Sequence, residues 1–251
     1  MEDKFVSILG VNFIHTTMKD MVERLKQRML TNQKGFVVTA NPEIVMKALE
    51  DATYKQYVDK ADYVTADGIG VVKGAQILGK PLPERVAGYD LMRNLLTVLH
   101  EHKLKLYMLG AQEETIEKAV ETIKKEYPDL QVAGYHHGFF DWEDPAIINE
   151  IKDTQPDLIL VALGVPKQEK WIAEHIDQVD KGVFIGVGGS FDVIAGTVKR
   201  APEIWQKLNL EWFYRLLKQP SRWRRMLALP HFALKVIGQR LTHGDRHRGS
   251  V

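Results

Sequence analysis

The stretch that decides the fold is LILVALGVPKQEKW, residues 158–171, in which six consecutive apolar residues end at a glycine. A short apolar run of this kind, bounded by turn residues, is typical of a strand buried on both faces of a parallel sheet. Gly164 and Pro166 end the run, and a helical pattern follows over residues 167–175. The segment therefore predicts a strand, a loop and a helix in succession.

The same alternation of short apolar runs and longer helical patterns recurs along the chain. Predicted strands cover residues 36–39, 63–65, 106–109, 158–163 and 183–187, and helical patterns cover residues 42–49, 91–102, 113–127 and 167–175. Strands that alternate with helices favour a mostly parallel sheet with helices on both faces. We therefore predict an α/β body over residues 1–194.

Five junctions between a predicted strand and the next helix are built from small or polar residues. They are TANPE (39–43), TADGIG (65–70), LGAQEE (109–114), LGVPKQ (163–168) and GVGGSFD (186–192). The carboxyl ends of parallel strands lie along one edge of a sheet, where ligands bind beside helix N-termini. Unpaired backbone N–H groups there favour phosphate, so the sequence predicts the functional site along this edge.

The first two junctions carry three candidate site residues. Thr39 and Asn41 bring a hydroxyl and an amide to a strand end, although Asn41 also suits a simple helix cap before Pro42. Asp67 is a lone carboxylate that suits a general base taking a proton from an acceptor hydroxyl. An ordinary Asp-Gly turn is its structural alternative.

Five further candidates stand in loops or first helical turns. Gln168 and Lys167 lie where a nucleotide or sugar could reach them, and a cation such as Lys167 is unfavourable at a helix N-terminus. Gly188 and Gly189 give the last strand end a flexible turn, for which a Ser-capped tight turn is the alternative. Arg85 stands in a loop punctuated by Pro and Gly, where it would either clamp phosphate or remain a solvated charge.

Several motifs of nucleotide and metal chemistry are absent from the sequence. The chain has no cysteine, which excludes disulfides and thiol catalysis. It also has no G-x-x-x-x-G-K-[ST], no G-x-G-x-x-G at the GVGGSF segment, no H-E-x-x-H and no D-x-D. We therefore predict no metal and no cofactor, and we expect protein cations and helix ends to neutralise any diphosphate leaving group.

The C-terminal part of the chain is basic. Between Val198 and Val251 twelve Lys and Arg stand against three Asp and Glu, whereas the rest of the chain holds 22 basic and 30 acidic residues. Residues 205–217 carry apolar side chains at helical spacing, and tryptophans, arginines and an apolar run interrupted by Pro230 follow. This pattern predicts a basic amphipathic appendage over residues 195–251 that binds a membrane surface.

Two other interpretations of the appendage are a solvated surface helix and a nucleic-acid-binding segment. The first leaves the many tryptophans beside arginines unexplained. The second is disfavoured because the body is acidic and shows no nucleic-acid-binding module, so we predict no nucleic-acid partner. The sequence has no secretory signal and no run of about 18 apolar residues, so we expect no membrane-spanning helix.

Taken in order, these segments resemble the WecG/TagA/CpsF glycosyltransferase family. The resemblance runs from about residue 6 to residue 241 and rests on TANPE, ADGIGVV, RVAGYDL, LGAQEE, LVALGVPKQEKW, GVGGSFDVIAG and RAPEIWQKLNLEWFYRLLKQPSRWRR. It implies a Rossmann-like α/β body, a metal-independent inverting reaction and an appendage that covers the site at the membrane. The members it most resembles join N-acetylmannosamine from UDP to N-acetylglucosaminyl-diphospho-undecaprenol by a β-1,4 link, in wall teichoic acid synthesis.

The resemblance also assigns roles to residues. Asp67 matches the proposed catalytic base, Thr39 a residue near it, and Arg85 and Gln168 further pocket positions. The arginines matching those that meet diphosphate in the appendage are Arg215, Arg222 and Arg225, with Arg224 as a substitute for Arg225. The implied partners are a UDP-sugar donor, an undecaprenyl-diphosphate-linked acceptor and the membrane, on the cytoplasmic, inner face.

Two alternatives stay open at this point. One alternative to N-acetylmannosamine transfer is a relative that transfers another UDP sugar, such as N-acetylmannosaminuronic acid or glucose. The other is a non-catalytic membrane-associated protein that binds a sugar nucleotide. Monomers and homo-oligomers are both compatible with the sequence.

Overall fold

The computed structural model of this chain describes residues 3–218, 220 and 223–246, apart from the side chains at positions 207, 215, 224, 225 and 243–246. Its strands, in chain order, are β1 (Phe5–Ile8), β2 (Val11–Ile14), β3 (Lys34–Ala40), β4 (Tyr63–Ala66), β5 (Lys105–Gly110), β6 (Gln131–His136), β7 (Leu158–Ala162) and β8 (Gly182–Gly186).

The helices of the body, in chain order, are α1 (Met18–Leu30), α2 (Pro42–Glu50), α3 (Ala52–Asp59), α4 (Ile69–Ile77), α5 (Gly88–His102), α6 (Glu113–Glu126), α7 (Ala146–Thr154), α8 (Lys167–His175) and α9 (Ser190–Ile194). Those that follow are α10 (Glu203–Lys207), α11 (Glu211–Lys218), α12 (Trp223–Met226) and α13 (Ala228–Arg246).

Six of the strands form one parallel sheet in the order β4-β3-β8-β7-β5-β6. Their side chains alternate between two apolar layers, as the two-residue period of a strand requires. On β8, for example, Phe184 faces the first layer, while Val183 and Ile185 face the second layer. Helices α1, α5 and α6 cover the second layer, and α2, α3, α4, α7, α8 and α13 cover the first. The predicted α/β fold with a mostly parallel sheet is confirmed.

The five strands predicted from apolar runs are present, but three strands were not predicted. β6 is an edge strand without a fully buried residue, so it lacks the apolar run that marks a central strand. β1 and β2 form a separate antiparallel hairpin of four-residue strands that lies beside β4. Its two-residue turn, Leu9-Gly10, has φ values of 49° and 84°, and leucine is not a residue that signals such a turn.

The appendage differs from its predicted form at one point. Residues 205–217 have a continuous helical pattern, yet the structure divides them between α10 and α11. Asn209 adopts a left-handed conformation with φ 58°, and Leu210 N–H donates to the carbonyl of Trp205 at 2.8 Å. This is the Schellman arrangement that ends a helix, and asparagine accepts it more readily than most residues. Pro230 interrupts an apolar run of the sequence but not a helix, because it lies in the first turn of α13, where proline is tolerated.

Helix α13 packs on the body against α2 and α4. Phe232 and Val236 belong to the first apolar layer and are 3% and 0% exposed. Gln239 of the same helix accepts a hydrogen bond of 2.9 Å from Leu9 N–H, in the hairpin turn. The division of the chain at residue 195 stays a prediction. No helix within the described part of the chain is both long and apolar enough to cross a membrane.

Candidate active site

A cavity of about 450 Å³ opens at the carboxyl ends of β3, β4 and β8. Strand ends and the helices that follow them form its floor, and α4, α11 and α13 contribute its outer walls. The predicted junctions TANPE, TADGIG and GVGGSFD all contribute lining residues. Parallel pairing explains this convergence, because β3 pairs with β4 on one side and with β8 on the other.

Asp67 follows β4 directly and lines this cavity. Its backbone N–H donates to the carbonyl of Ala40 at 3.0 Å, which extends the pairing of β3 and β4 by one residue. Its Oδ1 accepts a hydrogen bond of 3.1 Å from Gly88 N–H, the first amide of α5. The carboxylate is therefore held in one orientation at the cavity wall by a helix amide that has no partner within its own helix.

Thr39 lies near the end of β3, and its side chain is close to both β8 and the start of α5. Its hydroxyl donates to the carbonyl of Gly186, at the end of β8, at 3.2 Å. A Cβ at Gly88 would come within 2.7 Å of Thr39 Oγ1, so only glycine allows α5 to start this close to β3. Thr39 therefore connects the ends of β3 and β8, beside the end of β4 that Asp67 follows.

Asn41 combines the two roles that its sequence position left open. Its Oδ1 accepts a hydrogen bond from Ile44 N–H at 3.1 Å and caps α2, and the residue also lines the cavity. Helix α4 begins on the same wall, at Gly68 and Ile69. The N-termini of two nine-residue helices thus open toward one space, an arrangement that favours a negatively charged ligand.

Gln168 holds the loop after β8 by a hydrogen bond. This side chain is 4% exposed, and its Oε1 accepts a hydrogen bond of 3.0 Å from Gly188 N–H. Gly188 itself has a φ of 51°, the left-handed region that favours glycine. The loop then presents Gly189 and Val187 to the cavity. Lys167 is exposed in the first turn of α8, and it is not among the described residues that line the cavity.

Arg85 lies on the cavity wall within a cluster of four charged side chains that the sequence analysis did not identify as a group. Arg85 Nη2 is 3.9 Å from Asp90 Oδ2 and 3.7 Å from Glu211 Oε2. Arg200 makes the closest contacts of the cluster, with its Nη1 2.7 Å and its Nη2 2.9 Å from the two Asp90 oxygens. Burial disfavours the charged form of Arg200, yet these hydrogen bonds leave its pKa raised.

Sequence reasoning missed Arg200, Asp90 and Glu211 as site residues. Arg200 and Glu211 stand in the quoted RAPEIW segment and its continuation, but Asp90 precedes them by more than a hundred positions. No sequence pattern announces an ion pair across that separation. Lys73 of α4 also lines the cavity and was missed.

The predicted appendage arginines cannot be added to this geometry. Arg222 and the side chains of Arg215, Arg224 and Arg225 lie outside the described residues. Their role at a diphosphate stays a prediction. Within the described part of the chain, no three His, Asp or Glu side chains are grouped so that they could hold a metal ion.

Comparison with known proteins decides the family. The model of the WecG/TagA/CpsF glycosyl transferase family matches residues 6–246. The chain belongs to this glycosyltransferase family. A relative from Staphylococcus aureus strain MW2, named N-acetylglucosaminyldiphosphoundecaprenol N-acetyl-beta-D-mannosaminyltransferase, is 44% identical over 234 residues, which cover 92% of this chain and 91% of the relative. A protein of the same name from strain MRSA252 is 43% identical over the same shares of both chains. The family resemblance of the sequence motifs is confirmed.

This family member carries a buried carboxylate next to Gln168, which holds the loop at Gly188. Glu169 is 1% exposed, and its Oε1 accepts a hydrogen bond of 2.7 Å from Gln168 Nε2. Its Oε2 and the neighbouring Tyr54 hydroxyl are both buried, and the two side chains interact with each other. Burial raises the pKa of Glu169 to about 7. The carboxyl that supports Gln168, and through it the loop at Gly188, therefore titrates near neutral pH.

The pH dependence of stability tests this burial. An unfolded Glu169 ionises near its ordinary pKa of 4.5, whereas the folded carboxyl keeps its proton up to about pH 7. Between these values the folded state binds more protons, so this group lowers the free energy of unfolding as pH rises, by about 3 kcal/mol in total. We expect Glu169→Gln, which cannot ionise, to gain stability relative to the wild type over that interval in urea unfolding. Glu174→Gln, an exposed change on the same helix, is the control, and a Glu169→Gln difference that stays constant with pH would contradict the prediction.

Proposed function

We propose that the chain is an inverting glycosyltransferase that moves N-acetylmannosamine from UDP-N-acetylmannosamine to N-acetylglucosaminyl-diphospho-undecaprenol, with a β-1,4 link, in wall teichoic acid linkage-unit synthesis. The observation that carries the proposal is the position of Asp67, oriented by Gly88 at the wall of the cavity into which two helix N-termini open. It is supported by the 44% identity to a relative whose name gives the transferred group as N-acetyl-beta-D-mannosaminyl and the acceptor as N-acetylglucosaminyldiphosphoundecaprenol.

Asp67 is the general base of the proposed reaction. Its carboxylate takes the proton of the acceptor hydroxyl as that oxygen attacks the anomeric carbon of the donor sugar. The new carbon–oxygen bond forms on the face opposite the departing UDP oxygen, so a single displacement inverts the configuration. Because the Gly88 N–H fixes Asp67 Oδ1, the base does not have to be reoriented in each turnover.

The departing UDP carries charge that the protein has to stabilise. Arg85 on the cavity wall and the N-termini of α2 and α4 supply positive potential without a metal ion. The same features suit a donor diphosphate before the reaction. The loop from Val187 to Gly189, held by Gln168, forms the opposite side of the cavity, where we place the donor sugar.

We propose that the appendage binds the cytoplasmic face of the membrane, where a lipid-linked acceptor resides. Helix α13 buries Phe232 and Val236 on one side and exposes Leu234 and Leu241 on the other, at 69% and 66%. The exposed stripe lies in the most basic part of the sequence. An apolar stripe among basic residues suits insertion at the headgroup level of an anionic bilayer.

Replacement of Asp67 tests the catalytic assignment. We expect Asp67→Asn to lower kcat by about 10²- to 10⁴-fold, because the amide cannot accept the acceptor proton. The amide oxygen can still accept the Gly88 hydrogen bond, so the unfolding temperature and the affinity for UDP should change little. Asp180→Asn is the control, since Asp180 is an exposed residue just before β8, at the opposite edge of the sheet. Near-full turnover by a folded Asp67→Asn protein would show that another group is the base.

A donor panel tests the sugar specificity. UDP release is measured with UDP-N-acetylmannosamine, UDP-N-acetylmannosaminuronic acid and UDP-glucose, in EDTA and with a short-chain N-acetylglucosaminyl-diphospho-prenyl acceptor. We expect the first donor to give the highest kcat/KM and its turnover to persist in EDTA. A preference for another donor would keep the enzyme class and change the substrate. UDP binding without turnover of any donor would instead favour the non-catalytic sugar-nucleotide-binding protein.

Vesicle binding tests the membrane role of α13. We expect the double change Leu234→Glu and Leu241→Glu to weaken sedimentation with anionic vesicles, because it places acids where the apolar stripe meets the bilayer. The affinity for UDP should stay unchanged. Phe139→Glu is the matched control, since Phe139 is an exposed apolar residue of the body. Equal sedimentation of the double variant and the wild type would rule out this stripe as the contact.

A further inference from the structure

We propose that Arg200 binds a substrate diphosphate together with Arg85, and that the Glu211 carboxylate occupies the place of that diphosphate when the cavity holds no substrate. Arg200 has no assigned role in the function proposed above. The inference deepens that function and rests on it for the class of ligand. It depends on the preorganisation of Arg200, on one unsatisfied buried donor and on the charge balance of the cluster.

Arg200 is held rigidly on the cavity wall. Both oxygens of Asp90 accept from its terminal nitrogens, at 2.7 and 2.9 Å, and its guanidinium carbon lies 4.6 Å from the centre of the Tyr89 ring. A two-pronged carboxylate contact and stacking on an aromatic ring fix the plane of a guanidinium. An arginine fixed in this way loses little side-chain entropy when an anion binds, so it is preorganised for a ligand.

The remaining donor of Arg200 is not satisfied. Its Nε is buried and, among the described residues, has no hydrogen-bond acceptor. Glu211 Oε1 lies 3.6 Å from it, and the other oxygen of Glu211 lies 3.7 Å from Arg85 Nη2. Both distances exceed those of ordinary hydrogen bonds between charged groups. A buried donor without an acceptor is costly, so this Nε–H points to a group that approaches more closely than Glu211 does.

The charge balance indicates which group that is. Among the described side chains, two arginines face two carboxylates, so the charges of this group of four balance. A diphosphate could remain beside both arginines only if one carboxylate moved away. Asp90 is bound tightly to Arg200, whereas Glu211 makes the longer contacts to both arginines. Glu211 is therefore the carboxylate that a diphosphate displaces.

Displacement of Glu211 would reach the appendage. Glu211 is the first residue of α11, and its neighbour Trp212 also lines the cavity. A ligand that releases Glu211 therefore changes the contact between α11 and the body. In this way, diphosphate binding and the position of the appendage are coupled through one carboxylate.

Titration calorimetry tests the role of Arg200, with UDP representing the donor diphosphate and farnesyl diphosphate representing the lipid diphosphate. We expect Arg200→Ala to weaken binding of at least one probe by about 10- to 100-fold, as the loss of a charge-assisted hydrogen bond requires. Arg200→Lys should weaken binding less, because lysine keeps the positive charge although it lacks the planar guanidinium. Arg93→Ala is the matched control, since Arg93 pairs with Glu126 at 2.7 Å and stacks on Tyr127 outside the cavity.

The outcome with the two probes decides the source of the diphosphate. A loss with UDP alone assigns Arg200 to the donor, a loss with farnesyl diphosphate alone assigns it to the acceptor, and both results support the inference. Unchanged affinity for both probes in folded Arg200→Ala overturns it, and so does unchanged affinity in Arg200→Lys if the alanine variant does not fold. That failure is distinguishable from failure of the proposed function, which would appear as absent sugar transfer by a wild-type protein that still binds UDP.

Glu211→Gln tests the displacement separately. Removing the competing charge should tighten binding of whichever probe Arg200→Ala weakens, by several-fold. The reason is that the neutral amide leaves the arginines more readily than a carboxylate does. A structural role of Glu211 alone would predict equal or weaker binding in this variant, and either of those results overturns the displacement.

Discussion

The parallel pairing of β3 with both β4 and β8 is the constraint on which the active site depends. It places three strand ends side by side, so that Thr39 reaches across to Gly186 and Asp67 pairs its amide with Ala40. Helix α5 then closes on this platform, because Gly88 allows its first amide to reach the Asp67 carboxylate. The cavity is a consequence of the sheet order and needs no additional domain to define its floor.

How much of this could be predicted depends on the range of each interaction. Apolar runs such as residues 158–163 identified the buried strands, and strand-end polar residues located Thr39, Asn41 and Asp67 on the wall where they lie. Edge strand β6 and glycine-containing α4 lack such signals. The contact between Arg200 and Asp90 depends on the approach of two distant segments, and no local pattern records it.

The QEKW segment shows why a motif match and a contact with substrate are different properties. Gln168 was predicted to bind substrate, and that stays a prediction, whereas the structure gives it a hydrogen bond to the loop at Gly188. Glu169 supports Gln168 at the expense of burying a carboxyl. A costly buried group next to a loop of the candidate site is consistent with a site whose geometry matters more than its local stability.

Electrostatics then connect this fixed platform to the appendage. Without Glu211, Arg85 and Arg200 would share Asp90 as their carboxylate partner, which leaves an excess of one positive charge within this group of described side chains. Glu211 of α11 balances that excess, so α11 contacts the cavity at the two arginines to which we assign a substrate diphosphate. The proposed transfer to a membrane lipid would gain from such an arrangement. Under the proposed displacement, the Glu211 carboxylate shields the arginines from other anions until a substrate with two phosphates, which has the charge to replace it, binds.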